Sequence, residues 1–556
     1  MKYNKLLIAS SLLLAGMASS CSDSWDDHYD SASYPAGEGS LWEALSDNDN
    51  LSNFRAVMTA TGFQAQLESS QVYTVFAPVN SSFTDARRDS VIALYEAQKK
   101  LVKDKYNDAI VEFVQNHIKL YNYSVSAVSY DSLEMLNGKH IPVTATTFAG
   151  HNFVGTQTHT KNGTLYVLDA MAVYEPNVYE FLSRDADFDS VSHYIEEFSI
   201  DRFVASKSVP GEIIDGRQHY LDSVTVFENQ ILYGWLDADL NDEDSLYWMV
   251  PPTNEMWAEQ IPVLEQYYQY DETVQGRDSM MYNWPRLSLL WGTAFSQTVN
   301  ANFNIQDSVL STNGVPFRWR KSYWGSYDLS YYQYYRPYDE GGVFDGTTEI
   351  PCSNGRILKP SVWNFDPYQT YIRKSTAECE NLSSLDSVKT QTTLTLSRVS
   401  VPVENPFYKD ISNHAFAVVS PKGSVNAEAV FQLYNILSNV KYDIDVIVVP
   451  PMAEDTTYKA LPTKFKAELH YHNAKGSDVR TLTMVKPTTV WTTTGTQVDT
   501  IRVGSNVTIP TCSYRLSEAQ VKLKLTVTPT ANEENQGKFT RTLRVDKIVF
   551  TPHQGE

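Results

Sequence analysis

The sequence has little cysteine, a shortage of positive charge and, beyond its first residues, no long apolar run. Its four cysteines in 556 residues, Cys21, Cys352, Cys379 and Cys512, include no C-x-x-C pair and no zinc-finger spacing. This excludes a disulfide-built scaffold and a cysteine zinc module. An oxidising compartment would permit one bridge among the last three, with Cys352–Cys379 the leading pair. Three buried free thiols are the other reading, because sequence does not establish the ~5.5 Å Cα approach that a bridge needs. Lys and Arg number 45 against 66 Asp and Glu, a net charge of −21. With no basic run among them, nucleic acid is excluded as a partner, and polyanions are repelled unless a local patch reverses the sign. There is no G-x-S-x-G elbow, no H-E-x-x-H, no phosphate loop and no G-x-G-x-x-G after a strand. No pair of carboxylates is placed for glycoside hydrolysis either. The expectation is a chain that is not an enzyme, with no catalytic residues, no cofactor and no metal.

What is present begins at the N-terminus. Lys2 and Lys5 precede an apolar run from Leu6 to Met17, followed by Ala18-Ser19-Ser20 and Cys21. This is the pattern of a signal peptide over residues 1–20, too short to cross a bilayer, which needs ~20 apolar residues. The small residues before Cys21 resemble the lipobox of bacterial lipoproteins, whose cysteine is diacylated after cleavage. Ala18 stands where that family usually has Leu, so plain cleavage without a lipid stays open. Ser22 to Asp30, with Asp23, Asp26, Asp27 and Asp30, is similar to the acidic signal that directs Bacteroidota lipoproteins to the outer face of the outer membrane. A solvated acidic linker is the plainer reading of residues 21–37.

The length allows three or four domains, and internal similarity organises it. Ser40-Leu41-Trp42-Glu43-Ala44-Leu45 and Leu51 to Met58 carry helical spacing, with Ser40 placed to cap. Tyr73-Thr74-Val75-Phe76-Ala77-Pro78 then reads as a strand stopped by proline, followed by Asn80 as the cap of a helix. Ile110, Val111, Phe113, Val114, His117, Ile118 and Tyr121 form one helical stripe. His117 there reads as structural, since no carboxylate or nucleophile stands beside it in sequence. Asn137-Gly138 and Asn162-Gly163 are hairpin signals. Thr74, Phe76, Pro78 and Asn80 with His117, Asn162 and Gly163 resemble the signature elements of fasciclin domains, departing at Ser82. The resemblance implies a β-core flanked by helices and an extracellular adhesion role.

The pattern recurs at Tyr247-Trp248-Met249-Val250-Pro251-Pro252-Thr253-Asn254. Pro78 and Asn137 are 59 positions apart, Pro252 and Asn313 61, but Asn354-Gly355 arrives late, after about sixteen extra residues. The counterpart of His117 falls at or near Trp291. The lengthened interval holds Tyr323, Trp324, Tyr327, Tyr331, Tyr332, Tyr334, Tyr335 and Tyr338. So many rings need a covering surface: the host domain, another protein, or sugar rings. From near Ser375 the pattern changes to period two, as in Tyr442 to Val448, Val521 to Val527 and Leu543 to Phe550, which argues a β-sandwich. The last of these strands looks like the last strand of jelly-roll carbohydrate-binding modules. The expected fold is α+β: fasciclin-like domains at 38–183 and 184–373, the second degenerate with a Tyr-rich insertion at 320–340, then an all-β sandwich at 374–556.

His470-Tyr471-His472 places two imidazoles on one strand face, a possible metal pair, but a third ligand is missing and a surface strand is the preferred reading. Acidic clusters at Asp185, Asp237 and Asp242 lack the EF-hand glycine and read as loops. Nine Asp-Ser-aliphatic triplets, among them Asp89-Ser90-Val91 and Asp189-Ser190-Val191, resemble the acceptor of Bacteroidota O-glycosylation where about one or two are expected by chance. Helix capping and turns are the other explanation of Asp-Ser. These observations lead to a lipid-anchored surface protein that binds a protein or polysaccharide, for adhesion or envelope scaffolding. The alternative is a glycan-capture accessory similar to the lipoproteins beside starch-utilisation-type outer-membrane transporters.

Overall fold

Tyr73 to Pro78 becomes a strand because its β-branched and aromatic residues are buried on both faces, and the ladder ends where proline offers no amide proton. The computed structural model describes residues 37–296, 334 and 337–553, apart from 126–127, 208, 215–216, 223–224, 237, 382–393, 424 and 482–483. Cys21 and its flanks, Asn313, and Tyr323, Trp324, Tyr327, Tyr331, Tyr332 and Tyr335 lie outside the described residues. The chain divides into two compact units, 1–176 and 177–556.

In the first unit, strands β1 (Tyr73–Pro78), β2 (Ile118–Leu120), β3 (Asp131–Glu134), β4 (His140–Val143), β5 (Thr147–Phe148), β6 (His151–Asn152), β7 (Thr158–Thr160) and β8 (Gly163–Leu168) form two four-stranded sheets. The larger has the order β2-β1-β8-β7, with β1 and β8 parallel and Tyr73 opposite Gly163; the smaller runs β3-β4-β5-β6. One face of β1 packs Val75 and Ala77 against helices Leu41–Ser46 and Ser52–Ala60, and the other packs Phe76 against the smaller sheet. There Phe76 stacks on Phe148 at 3.9 Å between centroids. Ser40 caps its helix as expected, in a reciprocal pair with Glu43. The stripe from Ile110 is shorter than its spacing suggests: a wide turn, Ala109–Val114, tightens into Gln115–His117, and Ile118 already belongs to β2. Tyr121 lies beyond that strand, exposed, with φ +66°.

The second unit opens with helix Val178–Leu182, seven residues before the sequence places the domain boundary. The helix belongs here because the Val178 amide donates to Asn354 in this unit. Two hairpin pairs follow, β9 (Ser199–Phe203) with β12 (Thr225–Asn229), and β10 (Val209–Ile214) with β11 (Arg217–Asp222). Then β13 (Tyr247–Met249), β14 (Ala294–Ser296), β15 (Thr347–Cys352) and β16 (Gly355–Pro360) form a sheet of order β14-β13-β16-β15. This is the order of the first unit's larger sheet, again with a parallel central pair, and Tyr247 stands opposite Gly355 as Tyr73 stands opposite Gly163.

The rest is a sandwich of two antiparallel sheets. One contains β17 (Ser375–Glu378), β18 (Leu394–Ser400), β19 (Ala415–Pro421), β21 (Lys441–Val448), β25 (Asp499–Thr508) and β27 (Leu543–Pro552). The other contains β20 (Glu428–Leu433), β22 (Lys464–His472), β23 (Asp478–Thr481), β24 (Trp491–Thr492) and β26 (Val521–Val527). The period-two runs face as expected: Val521, Leu523, Leu525 and Val527 point into the core while Lys522, Lys524 and Thr526 do not. Residue 373 is no break between compact units, because one hydrophobic core runs from Val191, Leu236 and Trp284 through to Leu523 and Phe550. Cys352, Cys379 and Cys512 are buried free thiols, so the second of the two cysteine readings holds.

Candidate functional site

The signature residues act as fasteners. Asn162 is buried in the turn between β7 and β8, where its Oδ1 accepts from the Leu41 amide (2.8 Å) and its Nδ2 donates to the carbonyls of Leu67 (2.9 Å) and Ser69 (2.8 Å). Asn354 repeats this arrangement, accepting from the Val178 amide and donating to the Leu240 and Asp242 carbonyls, each at 2.9 Å. In both copies the donating amide opens a helix capped by a reciprocal box. Gly163 and Gly355, at φ +144° and +140°, are required by close approach: a Cβ would lie 1.8 Å from the carbonyl oxygen of Tyr73 or Tyr247.

Asn80 does not cap the helix that follows it; Thr84 stands at that N-terminus. Its side chain instead reaches back, accepting from the Asn53 amide and donating to the Asp49 carbonyl. Asn254 does the same with the Ser190 amide and Ala186 carbonyl, while Thr253 caps the helix. A side chain with both a donor and an acceptor can bridge to a preceding helix start as readily as cap its own. Thr74 accepts from the Tyr123 amide and donates to the Tyr121 carbonyl. Pro78 ends β1, and Pro252 stands in the matching place beyond β13.

His117 is fully buried. Its Nδ1 pairs with the Phe113 carbonyl at 2.7 Å and its Nε2 accepts from the Ala172 amide at 3.2 Å. Burial outweighs the carbonyl's help to the charged form and lowers its pKa to about 4. Strand register places Thr293, not Trp291, at the equivalent point, because Val75 pairs with Ile118 and Met249 with Ala294. The Thr293 hydroxyl donates to the Leu290 carbonyl, so it too secures the end of a helix.

Of the aromatic cluster proposed as a binding face, the described member Tyr334 is buried against Phe295, Phe344 and Phe365, which removes it from any ligand surface. Its cluster also holds Val250 and Leu358, each one position beyond the last registered pair Met249–Ile357, where the first unit pairs Phe76 with Tyr166. Tyr334 fills the volume those smaller side chains leave.

A concavity in unit 2 lies elsewhere. A cleft of about 980 Å³ is lined by Thr273, Gln432, His472, Arg515, Gln520 and Lys522, among others. Arg515 has φ +61°, unfavourable for a side chain with a Cβ, and its amide is held by Asn435. Its guanidinium lies within 6.0 Å of the ring centroids of Trp235, Trp284 and Tyr514, which pack edge to face. His472, which also lines the cleft, has its Nδ1 3.1 Å from Asp271 Oδ2. Burial pushes the Asp271 pKa up, but the Thr273 hydroxyl and amide with His472 outweigh it and hold the carboxylate below its usual range. His470 instead pairs with Glu468 at 2.7 Å, so each imidazole has its own carboxylate and the two do not form a metal pair.

A second cluster joins residues far apart in sequence. Carboxylate oxygens of Glu378, Glu380 and Asp546 lie within 4.8 Å of one another. Asp546 is fully buried and burial raises its pKa to about 7, against the pull of the Ser412 amide. Glu378 is also raised, by burial first. Sequence reading missed this cluster and the cleft. The signal for the first was Glu-x-Glu at 378 and 380 and the polar pair Asp546-Lys547 interrupting the alternation of β27. No short motif marks Arg515 or its three rings.

Residues 49–173 match the model of the fasciclin domain. Residues 49–173 form a fasciclin domain. The fasciclin sheet is therefore the one ordered β2-β1-β8-β7, and Asn162, Thr74 and His117 are its fasteners. No curated protein matches the chain. Among solved structures, the xylan-binding and catalytic modules of a Clostridium thermocellum endo-1,4-β-D-xylanase align at 12% identity over 33% of this chain and 28% of theirs, TM-score 0.21. The domain pair of the insect cell adhesion molecule fasciclin I aligns at 11% identity over 58% of this chain and 95% of its own, TM-score 0.16. A family 35 carbohydrate-binding module of Paenibacillus barcinonensis aligns at 16% identity over 32% and 98%, TM-score 0.16. Scores at this level do not establish a common fold, and the chain spans under a third of the xylanase modules.

Proposed function

We propose that the chain is a non-catalytic surface protein, tethered through Cys21 to the outer membrane and facing outward, that captures a glycan in the cleft of its second unit. The cleft carries this reading. About 980 Å³ suits a few sugar rings, and Gln432, Gln520, Thr273, His472 and Arg515 offer the neutral and charged donors and acceptors that sugar hydroxyls require. Arg515 is held in an unfavourable backbone conformation over three rings, a strain that pre-orients a binding group. Non-catalytic action is supported by the burial of Glu380 and Asp546, which a polymer cannot reach. Residues 177–373 are read as a diverged second fasciclin domain, on the shared strand order and the matching Asn162 and Asn354 bonds.

Affinity electrophoresis against a polysaccharide panel tests the reading. At least one polysaccharide is expected to retard the protein, and Arg515→Ala with Gln432→Ala to remove about nine-tenths of the retardation. A panel that leaves the wild type unretarded overturns glycan capture. A second reading, protein adhesion, is favoured by the fasciclin domain at 49–173. A pull-down from intact cells separates them: a co-purifying outer-membrane transporter supports glycan capture, and a matrix or surface protein supports adhesion.

A further inference from the structure

Eight consecutive residues of the first unit, Lys99 to Tyr106, are exposed where helix Asp85–Gln98 ends. Four of them are lysines, Lys99, Lys100, Lys103 and Lys105, against one acid, Asp104, in a chain whose net charge is −21. Leu101, Val102 and Asp104 interrupt them, so they make no basic run in sequence, yet together they reverse the sign of the charge locally. Among the lysines stands Leu101, at 80% the most exposed large apolar side chain among the described residues, and Val102 and Tyr106 are exposed beside it in sequence. We propose that this basic and apolar loop docks the first unit on an anionic lipid surface.

The loop is clamped at its base. Gln98 Nε2 donates to Asp108 Oδ2 at 2.6 Å, and the Asp108 amide donates back to Gln98 Oε1 at 2.8 Å. Buried Asn107 ties the same two arms, donating to the Tyr95 carbonyl and accepting from the Ala109 amide. Leu101 therefore stays outside the core built around Phe54, Phe83 and Phe113. Within the loop the amides of Leu101 and Val102 donate to the Gln98 carbonyl, and that of Tyr106 to the Lys103 carbonyl. A segment entering a headgroup layer leaves water behind, and amides already paired do so at little cost.

These residue types fit a lipid surface better than a soluble polyanion. Lysine lays its apolar stem along hydrocarbon while its ammonium reaches the headgroup phosphates, and each such charge strengthens binding about fivefold. Lys105 lies over the Tyr106 ring at 4.3 Å, and a tyrosine, apolar in its body and polar at its tip, suits the interface. Lys99 pairs with Glu96, whereas Lys100 and Lys103 make no ion pair among the described residues. A soluble polyanion would use the charges and leave Leu101 and Val102 in water, but a bilayer takes up both. On the tether through Cys21 proposed above, the sixteen residues to Gly37 reach at most about 58 Å, which keeps the first unit beside a bilayer.

The test uses the whole chain after the signal peptide, made without lipid so that no acyl group contributes. Its sedimentation is measured with vesicles of phosphatidylcholine, alone or with about one-third phosphatidylglycerol. Binding to the anionic vesicles is expected to be about tenfold tighter than to the neutral ones, and to weaken in high salt. Lys100→Glu combined with Lys103→Glu should lose about twentyfold, and Leu101→Ser about tenfold. Both variants change exposed side chains and should unfold at the wild-type urea concentration. Equal binding to the two kinds of vesicle, or none, overturns the proposal. Anionic binding that Leu101→Ser leaves unchanged also overturns it, because a contact made by charge alone is a polyanion site. The wild-type comparison decides the matter should a variant not fold. With no acyl chain and no sugar present, failure here leaves the Cys21 tether and the glycan cleft standing.

Discussion

At the scale of single residues, the two buried asparagines Asn162 and Asn354 each tie a helix start to a turn between strands. Asn162→Ala removes four side-chain hydrogen bonds and leaves the Leu41 amide buried and without that partner, so the first unit should lose about 3 kcal/mol in urea unfolding. Asn354→Ala should cost the second unit a similar amount through Val178. His117 predicts a pH dependence with a definite sign. Its folded pKa, about 4, lies below the ordinary 6.5, so it stabilises the fold above pH 6.5 and that stability is lost as pH falls toward 4. About 2 kcal/mol should be gone by pH 5, before most carboxylates titrate, and about 3 kcal/mol by pH 4. Hydrogen exchange of the Ala172 amide, which His117 holds, should quicken over that range. Exchange that stays constant from pH 6.5 to 5, after correction for the intrinsic rate, would show that the imidazole is not neutral and buried.

At the scale of elements, the informative case is the aromatic excursion of the second copy. Tyr334 and Tyr338 look alike in sequence, but the first is buried among Phe295, Phe344 and Phe365 and the second is 44% exposed. Tyr334→Ala should therefore cost about 3–4 kcal/mol and Tyr338→Ala under about 1 kcal/mol, measured by chemical unfolding. Equal costs would mean that the ring is not part of the core. The Asp-Ser triplets divide similarly: Asp89-Ser90, Asp189-Ser190 and Asp278-Ser279 lie in helices, where Asp189 and Asp278 occupy first turns as capping chemistry favours. Ser90 and Ser279 are exposed and Ser190 is half-buried, so mass spectrometry of the native protein is expected to find a glycan on the first two ahead of the third.

At the scale of the whole molecule, the continuous core from Val191 to Phe550 predicts that residues 177–556 unfold in one calorimetric transition and the first unit in another. Three transitions, or independent folding of a 184–373 fragment, would restore the boundary at 373. Among the described residues no helix is long and apolar enough to cross a membrane. The parts legible in the sequence were those set by neighbours along the chain. Strand and proline at Tyr73 to Pro78, the hairpins at Asn162 and Asn354, the Ser40 cap and the alternating strands of the sandwich all follow from local backbone preference and burial period. What tertiary structure alone decided joins distant positions: the carboxylates of Glu378 and Asp546, the rings beneath Arg515, the reach of Asn80 to Asn53, and the fate of Tyr334. Local preference constrains a few successive dihedral angles, whereas these contacts depend on which strand edges pair and where a bulge falls. That choice is made by the packing of the whole core, and no short window of sequence contains it.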